Sequence, residues 1–351
     1  MAQRGGGMKK TVSRQADVAK AAGVSQSTVS MVMNGTADLG RISAGTQRRV
    51  LDAARRLQYA PAGQRRAVAR TTPHLLGVHT FEPIFPTSSR DYYFEFLRGI
   101  EEQAAAEGCN LVLFTAAPDE SGVRRIFADD TNGLRQASGS LLLGHHADRD
   151  DLARLAYEGY PFVYVGHREV PGASISYVGG DYKTATGEIV DDLVALGHRT
   201  FAYLGEQSRD EPQEDRWTGF AGALQRYDLP VPSPVFEPPS GLTTGWLDRA
   251  LAAGTTAILV ESVNLLRVLA AMLNLRGLSV PGDLSVVLLV DDETEVGSLP
   301  WAMLRVPRNA MGRRAVRLLT SLLTEPDGDY ERQILLPCEH TLEATVGPSP
   351  R

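Results

Sequence analysis

Residues Asp17–Asn34 read DVAKAAGVSQSTVSMVMN, and the spacing inside this stretch predicts two short helices joined by a tight turn. In the first, about Arg14 to Ala22, Val18, Ala19 and Ala22 share a face, and Gly23 suits the turn out of a helix. Ser25 is placed to cap the second, its hydroxyl accepting an orphan amide of the first turn. Within the second helix Val29, Val32 and Met33 fall on one side, whereas Ser27 and Met31 point the other way with Gln26 beside them. One side packs and the other is free to read something. A third helix is predicted from near Ser43 to Leu57, with Val50, Ala53, Ala54 and Leu57 at helical spacing.

A helix whose exposed side is hydroxyl, amide and small residues, entered from another helix through a Gly-Val turn, has the form needed to enter a major groove. The Gln26 amide matches an adenine edge, Ser27 suits almost any base and Met31 a thymine methyl. Ser25, Thr28, Ser30 and Asn34 are better suited to phosphate oxygens. On composition alone the competing reading is a three-helix bundle with an ordinary solvated face. Charge favours the first reading. Residues 1–72 carry a net charge of +10 and the remainder −16, within an overall −6. A basic module on an acidic body points to a polyanion partner for the front end only.

Pro61 closes this block, and Ala62 to Arg70 form a basic, helix-compatible connector before Thr71, Thr72 and Pro73. From Leu75 onward short apolar runs alternate with amphipathic segments. Strands are predicted at Leu75 to Val78, Asn110 to Phe114, Gly139 to Leu143, Phe162 to Val165, Phe201 to Leu204, Ala257 to Val260 and Ser285 to Val290. Helices between them include Tyr93 to Glu107, Thr184 to Leu196, Arg216 to Tyr227 and Ala310 to Leu323. That alternation predicts parallel sheets covered on both faces. Weak strand content around 174–182 and 304–309 marks places where the chain could cross between two lobes.

The chain of 351 residues is 43% apolar, enough for two or three domains. No run of about 18 uncharged apolar residues occurs, so no membrane partner is expected, and Met1 to Met8 do not lead into a secretory segment. Cys109 and Cys338 lie far apart in no CxxC pattern, which fits a reducing, cytoplasmic compartment. The glycines form neither GxGxxG nor a Walker pattern, and no GxSxG elbow occurs. His145 and His146 lack the spacing of a zinc motif. No catalytic residue, metal or cofactor is therefore expected, and the chain does not read as an enzyme.

The run Asp17-Val18-Ala19, Ala22-Gly23-Val24-Ser25, Thr28-Val29-Ser30 and Asn34, followed by Ser43, Thr46, Val50, Ala54, Leu57, Tyr59 and Pro61, resembles the DNA-binding domain of the lactose and galactose repressor family of bacterial transcription regulators. The similarity extends weakly to about residue 347. The resemblance implies an N-terminal all-α helix-turn-helix domain (11–60) with a hinge helix and linker (61–73). An α/β periplasmic-binding-protein-like domain (74–347) of two doubly wound parallel-sheet lobes would follow. Lobe 1 would span about 74–178 and 307–332, and lobe 2 about 179–306 and 333–347. It further implies a ligand-responsive regulator, a repressor that binds a near-palindromic operator in double-stranded DNA as a homodimer and senses a small molecule, by the family's bias a carbohydrate, in the cleft between lobes.

By the same resemblance Gln26 and Ser27 hold the main specificity positions, with Met31 the third. Residues 62–70 match a hinge helix that wedges an apolar side chain into the minor groove. Arg66 matches a usual arginine and Val68 stands where leucine is usual, while Ala62 and Arg65 replace asparagine and alanine. The segment Gly35 to Arg41 is longer than usual. A smaller wedge should kink DNA less. In the body, Arg216-Trp217-Thr218-Gly219-Phe220 matches an Arg-x-x-Gly motif whose arginine reaches effector oxygens. Asp291 matches an acidic effector position, and Tyr92 and Tyr93 match ligand-facing aromatics. Trp217 is a candidate stacking surface, and Thr218 is grouped with it. Ser262 is expected to cap the next helix and touch the ligand. His167 or Arg168 would stand in for an acid absent at Gly166, and Asp181 is expected as a helix cap. The competing readings are a salt bridge between Arg216 and Asp291, and aromatics that simply fill the core. For the whole chain the competing class is a cytoplasmic sugar-binding protein or sugar-acting enzyme whose basic head serves no operator.

Overall fold

The computed structural model describes residues 15–33, 42–57, 74–81, 92–115, 124–128, 131–145, 147–291, 296, 299–342 and 344–350. The chain divides into two compact units, residues 1–73 and 74–351. In the first unit, α1 (Gln15–Ala22), α2 (Gln26–Met33) and α3 (Ala44–Arg56) enclose a small core of their own. Val18, Val29, Val50 and Ala53 have no exposed surface there. Each element brings one apolar stripe, and three stripes close on one another because the helices are too short to persist alone.

The second unit holds two six-stranded sheets. The first is built from β1 (Leu75–Thr80), β2 (Asn110–Phe114), β5 (Gly139–Leu143), β6 (Phe162–Val165), β7 (Tyr177–Asp181) and β13 (Gln333–Pro337), in the spatial order β13-β7-β6-β5-β1-β2, all neighbours parallel. A two-stranded pair, β3 (Phe127–Ala128) and β4 (Thr131–Asn132), stands apart. The second large sheet contains β8 (Phe201–Gly205), β9 (Val235–Phe236), β10 (Ala257–Val260), β11 (Ser285–Leu288), β12 (Ala302–Arg305) and β14 (Glu339–Thr341), ordered β14-β12-β11-β10-β8-β9. Only β12 with β14 is antiparallel. Every residue of β5, β6, β10 and β11 is buried, as expected of parallel strands covered on both faces. In each sheet the first strand has later strands on both sides, which sets a topological switch point at the carboxyl ends of β1 and β5 and of β8 and β10.

Helices α4 (Phe94–Ala106) and α10 (Arg308–Thr324) pack together on the first sheet, and α6 (Tyr182–Ala195) and α7 (Glu211–Arg226) pack together in the second lobe. Two lobe boundaries differ from expectation. β7 runs to Asp181, and residues 333–337, expected in the second lobe, form β13 at the edge of the first sheet in parallel register with β7. Gly179 and Gly180 hide β7 from a propensity reading. They are small because a Cβ would come within 2.8 Å of the His167 nitrogen at one and of Cys338 Sγ at the other. Helix α7 also begins five residues before Arg216, with Pro212 in its first turn and Glu211 and Glu214 at its positive end. Three further helices, α5 (Arg149–Tyr157), α8 (Thr244–Ala252) and α9 (Val263–Leu275), complete the layers. No helix among the described residues is long and apolar enough to cross a membrane.

Candidate functional site

In the first unit, α1 ends at Gly23, whose φ of +65° lets the chain turn so that the Val24 amide donates to the Ala19 carbonyl. The Ser25 hydroxyl then accepts the Thr28 amide at 3.1 Å, capping α2. Val29 and Val32 are buried against the neighbouring helices, which turns Gln26 and Ser27 outward into solvent; Met31 is half-buried on the same helix. The Gln15 side chain donates to the Gln26 carbonyl at 2.8 Å, fixing the start of α2 against α1. Thr28 and Ser30 are half-buried, and Ser25, exposed, has its oxygen within 2.8 Å of both the Ser27 and Thr28 hydroxyls. Asn34, Arg66 and Val68, with Ala62, Arg65 and the segments 35–41 and 61–73, lie outside the described residues.

In the second unit both switch points open on one interlobe cleft of about 490 Å3. The first lobe contributes Tyr92 and His145 to it. The second contributes Asp210, Gln213, Arg216, Glu261 and Ser262. Tyr92 and Tyr93 also roof a smaller adjoining cavity that reaches His167 and Arg168. Arg216 is 5% exposed and extends from the buried face of α7, its guanidinium carbon 4.3 Å from the centre of the Tyr182 ring. Among the described residues its Nε has no hydrogen-bond partner.

Asp291 follows β11 but does not pair with Arg216. Its carboxylate meets Arg308 of the first lobe at 2.8 Å, and the same guanidinium donates to the Asp291 and Tyr92 carbonyls. Burial pushes the Asp291 carboxyl above its usual range against the pull of Arg308. Among the described residues its Oδ1 has no hydrogen-bond partner. Ser262 caps α9 by accepting the Leu265 amide, at the cleft wall, and Asp181 caps α6 through the Thr184 amide.

Two candidates fall elsewhere. Trp217 packs against Tyr203, Phe220 and Phe236 with ring centres 5.1 to 5.9 Å apart, in the second-lobe core rather than over the cleft. Thr218 lies on the exposed side of α7. Both follow from helical spacing. Arg216, Gly219, Phe220 and Ala223 form the buried stripe, and the residues directly after Arg216 rotate away from the direction it takes. The glycine of the motif is a packing residue, because a Cβ on Gly219 would overlap the Lys183 carbonyl oxygen of α6.

Residues 16–62 match the model of bacterial regulatory proteins of the lacI family, and residues 190–345 match that of the periplasmic binding protein-like domain. The chain thus carries a lacI-family helix-turn-helix region followed by a periplasmic binding protein-like domain. It is 27% identical to catabolite control protein A of Streptococcus mutans over 91% of this chain and 94% of that one. The lac repressor dimer bound to operator and the anti-inducer ONPF superposes with a TM-score of 0.62 at 22% identity, covering 96% of this chain and all of its own. A lacI-family regulator from Enterococcus faecium with bound ribose superposes with a TM-score of 0.59 at 20% identity, over 78% of this chain and 99% of its own.

In this periplasmic binding protein-like body two groups of charges carry no signature in the sequence. Glu261, directly after β10, is sealed from solvent. Its carboxylate accepts two bonds from Arg209 at 2.7 and 2.9 Å, one from the Tyr203 hydroxyl at 2.6 Å and one from the Glu206 amide at 2.7 Å. The only signal was an acid ending an apolar strand at a switch point. Arg168, 3% exposed, leaves the first lobe to meet Asp210 and Glu211 at 3.3 and 3.0 Å, and His167 Nδ1 lies 2.6 Å from Asp215. The residues expected to replace a ligand-binding acid therefore bridge the two lobes.

The hydrogen bond with Asp215 raises the His167 pKa above its ordinary value. Charged His167 thus supports the bridge fully below about pH 6.5 and loses it as pH rises through the raised value. Urea midpoints of the wild type should fall between about pH 6 and 8, and His167→Gln should flatten that fall. An unchanged slope in the variant would remove His167 from the bridge.

Proposed function

We propose that this chain is a transcription regulator that represses from a near-palindromic operator as a homodimer, and that a small molecule, a carbohydrate or close derivative, controls it from the interlobe cleft. The observation that carries this reading is the orientation of α2, whose valines are buried while Gln26 and Ser27 face solvent. A two-fold dimer lets one reading helix serve both half-sites, and linking two heads raises the effective concentration of the second. The operator-bound dimer of the lac repressor supports this part of the reading, and the ribose of the Enterococcus faecium regulator supports a carbohydrate in the cleft.

A ligand that bears on both lobes changes their arrangement and hence the pairing of heads in the dimer. A coupling of about 1–3 kcal/mol is ordinary for such a switch. The assignment of Tyr92, Arg216, Ser262 and Asp291 to the ligand, and of Gln26, Ser27 and Met31 to bases, belongs to the same proposal. Fluorescence anisotropy with DNA from upstream of the chain's own locus tests it. The expected result is tight, salt-sensitive binding that falls away on unrelated sequence, and equal affinity for both would overturn the reading. Gln26→Ala should relax preference at one base pair per half-site by about 1–3 kcal/mol, read in a mismatch series, with little change at other positions.

A further inference from the structure

The chain crosses between the two lobes three times, between β7 and α6, between β12 and α10, and between β13 and β14. Short crossings let two packed bodies rotate about one another, so contacts made outside them decide how far the lobes open. One such contact is a cluster of charges between the loop after β6 and the first turns of α7. Arg168 meets Asp210 and Glu211 at 3.3 and 3.0 Å, Arg149 at the start of α5 meets Glu211 at 3.0 Å, and His167 Nδ1 lies 2.6 Å from Asp215. The Glu169 amide donates to Glu211 across the same gap at 2.9 Å. His167 and Arg168 from one lobe and Pro212 from the other line a cavity of about 30 Å3, room for about one water molecule, so the lobes meet closely here.

We propose that this cluster is a latch between the lobes, held while the His167 ring carries a proton and loosened when that proton leaves. The second lobe's half of it stands in the first turns of α7, where the free amides and the dipole of the helix favour negative charge. On the first lobe's half, arginines do not titrate near neutrality, which leaves His167 as the member that changes state there. His167 faces Asp215 and Glu211 from α7, Glu169 from its own loop, and the Tyr177 ring of β7 at 5.1 Å. The bond to Asp215 first, then the charges of Asp215, Glu211 and Glu169, favour the protonated ring against the cost of its burial. The latch is therefore complete below about pH 6.5 and weakens as pH rises through the raised pKa. Arg168 and Arg149 stay in place, so losing the proton loosens the contact between lobes without unfolding either one. On the regulator reading, on which this consequence alone rests, the proton becomes a second input to the pairing of the heads, beside the ligand.

Hydrogen exchange of the full chain without ligand tests the latch, because the Glu169 amide has its acceptor in the opposite lobe. After correction for the intrinsic exchange rate, protection of that amide should fall by about fivefold between about pH 6 and 8. His167→Gln and Asp215→Asn should each hold it at one level across that range. Glu211→Ala, which removes the acceptor, should lose the protection at both ends. A peptide spanning the buried strand β10 reads global unfolding, and it should stay protected in every variant. Wild-type protection that ignores pH, a pH dependence that survives His167→Gln, or β10 exchanging in step with Glu169 would overturn the latch. A pH-dependent opening in a chain that shows no preference among DNA sequences would sustain the latch against the regulator reading. Selective operator binding by a chain whose Glu169 amide ignores pH would do the reverse.

Discussion

Removal of residues 1–73 is expected to abolish sequence-selective DNA binding while the remaining body keeps its ligand response. The two units have separate cores. Val18, Val29 and Val50 close the front one without any residue of the body, and the boundary between compact units falls at Pro73. Electrostatics sharpens the expectation, because residues 1–72 carry +10 while the rest carries −16. Excision therefore removes the reading helix and also reverses the sign of the field that meets a phosphate backbone. Operator affinity should fall by about a thousandfold or more, to or below the non-specific level. Anisotropy reads the first outcome and ligand-induced thermal stabilisation of the truncated body reads the second. A body that no longer responds to a ligand stabilising the full chain would contradict the modular account.

Gly219→Ala is expected to destabilise the body by about 2–3 kcal/mol, an unusually large effect for one methyl group. The new Cβ would overlap the Lys183 carbonyl oxygen, and backbone cannot rotate away as a side chain can, so α6 and α7 must separate along their contact. Gly222, one turn further along α7, has nothing within 4 Å of the same built position. There alanine should stabilise by about 0.5–1 kcal/mol, through helix propensity and a less flexible unfolded chain. Urea midpoints of the two variants measure the contrast, and equal effects would mean that Gly219 does not set the spacing of the helices. The first lobe uses the same device. Gly99 and Gly312 bring α4 and α10 together where a Cβ would meet the carbonyl oxygens of Asn309 and Phe96.

These glycines show where sequence reading stops. The strands at Asn110–Phe114, Gly139–Leu143, Phe162–Val165 and Ala257–Val260 have the bounds their apolar runs predict; the last three are buried throughout, and a buried parallel strand announces itself in consecutive apolar residues. Ser25, Val29 and Val32 declare the reading helix in the same local way: capping and helical periodicity act within a few residues. β7 escaped because Gly179 and Gly180 answer to neighbours rather than to strand propensity, and β13 because a short edge strand is defined by the strand it pairs with. Trp217 and Thr218 were grouped with Arg216 by adjacency, whereas a helix sends adjacent residues in different directions.

The order of residues alone determined the basic head, its outward-facing Gln26 and Ser27, and the alternation of strand and helix in the body. Each of these is carried by charge composition or by periodicity over less than about two turns of helix. Only the tertiary structure decided that Asp291 pairs with Arg308, that Arg168 and His167 cross to the other lobe, that Arg209 seals Glu261, and that the Arg216 Nε has no hydrogen-bond partner among the described residues. Coulomb attraction between charges depends on distance and burial rather than on position along the chain. Which cation finds which carboxylate is therefore settled only when the lobes bring distant segments within a few ångströms of one another.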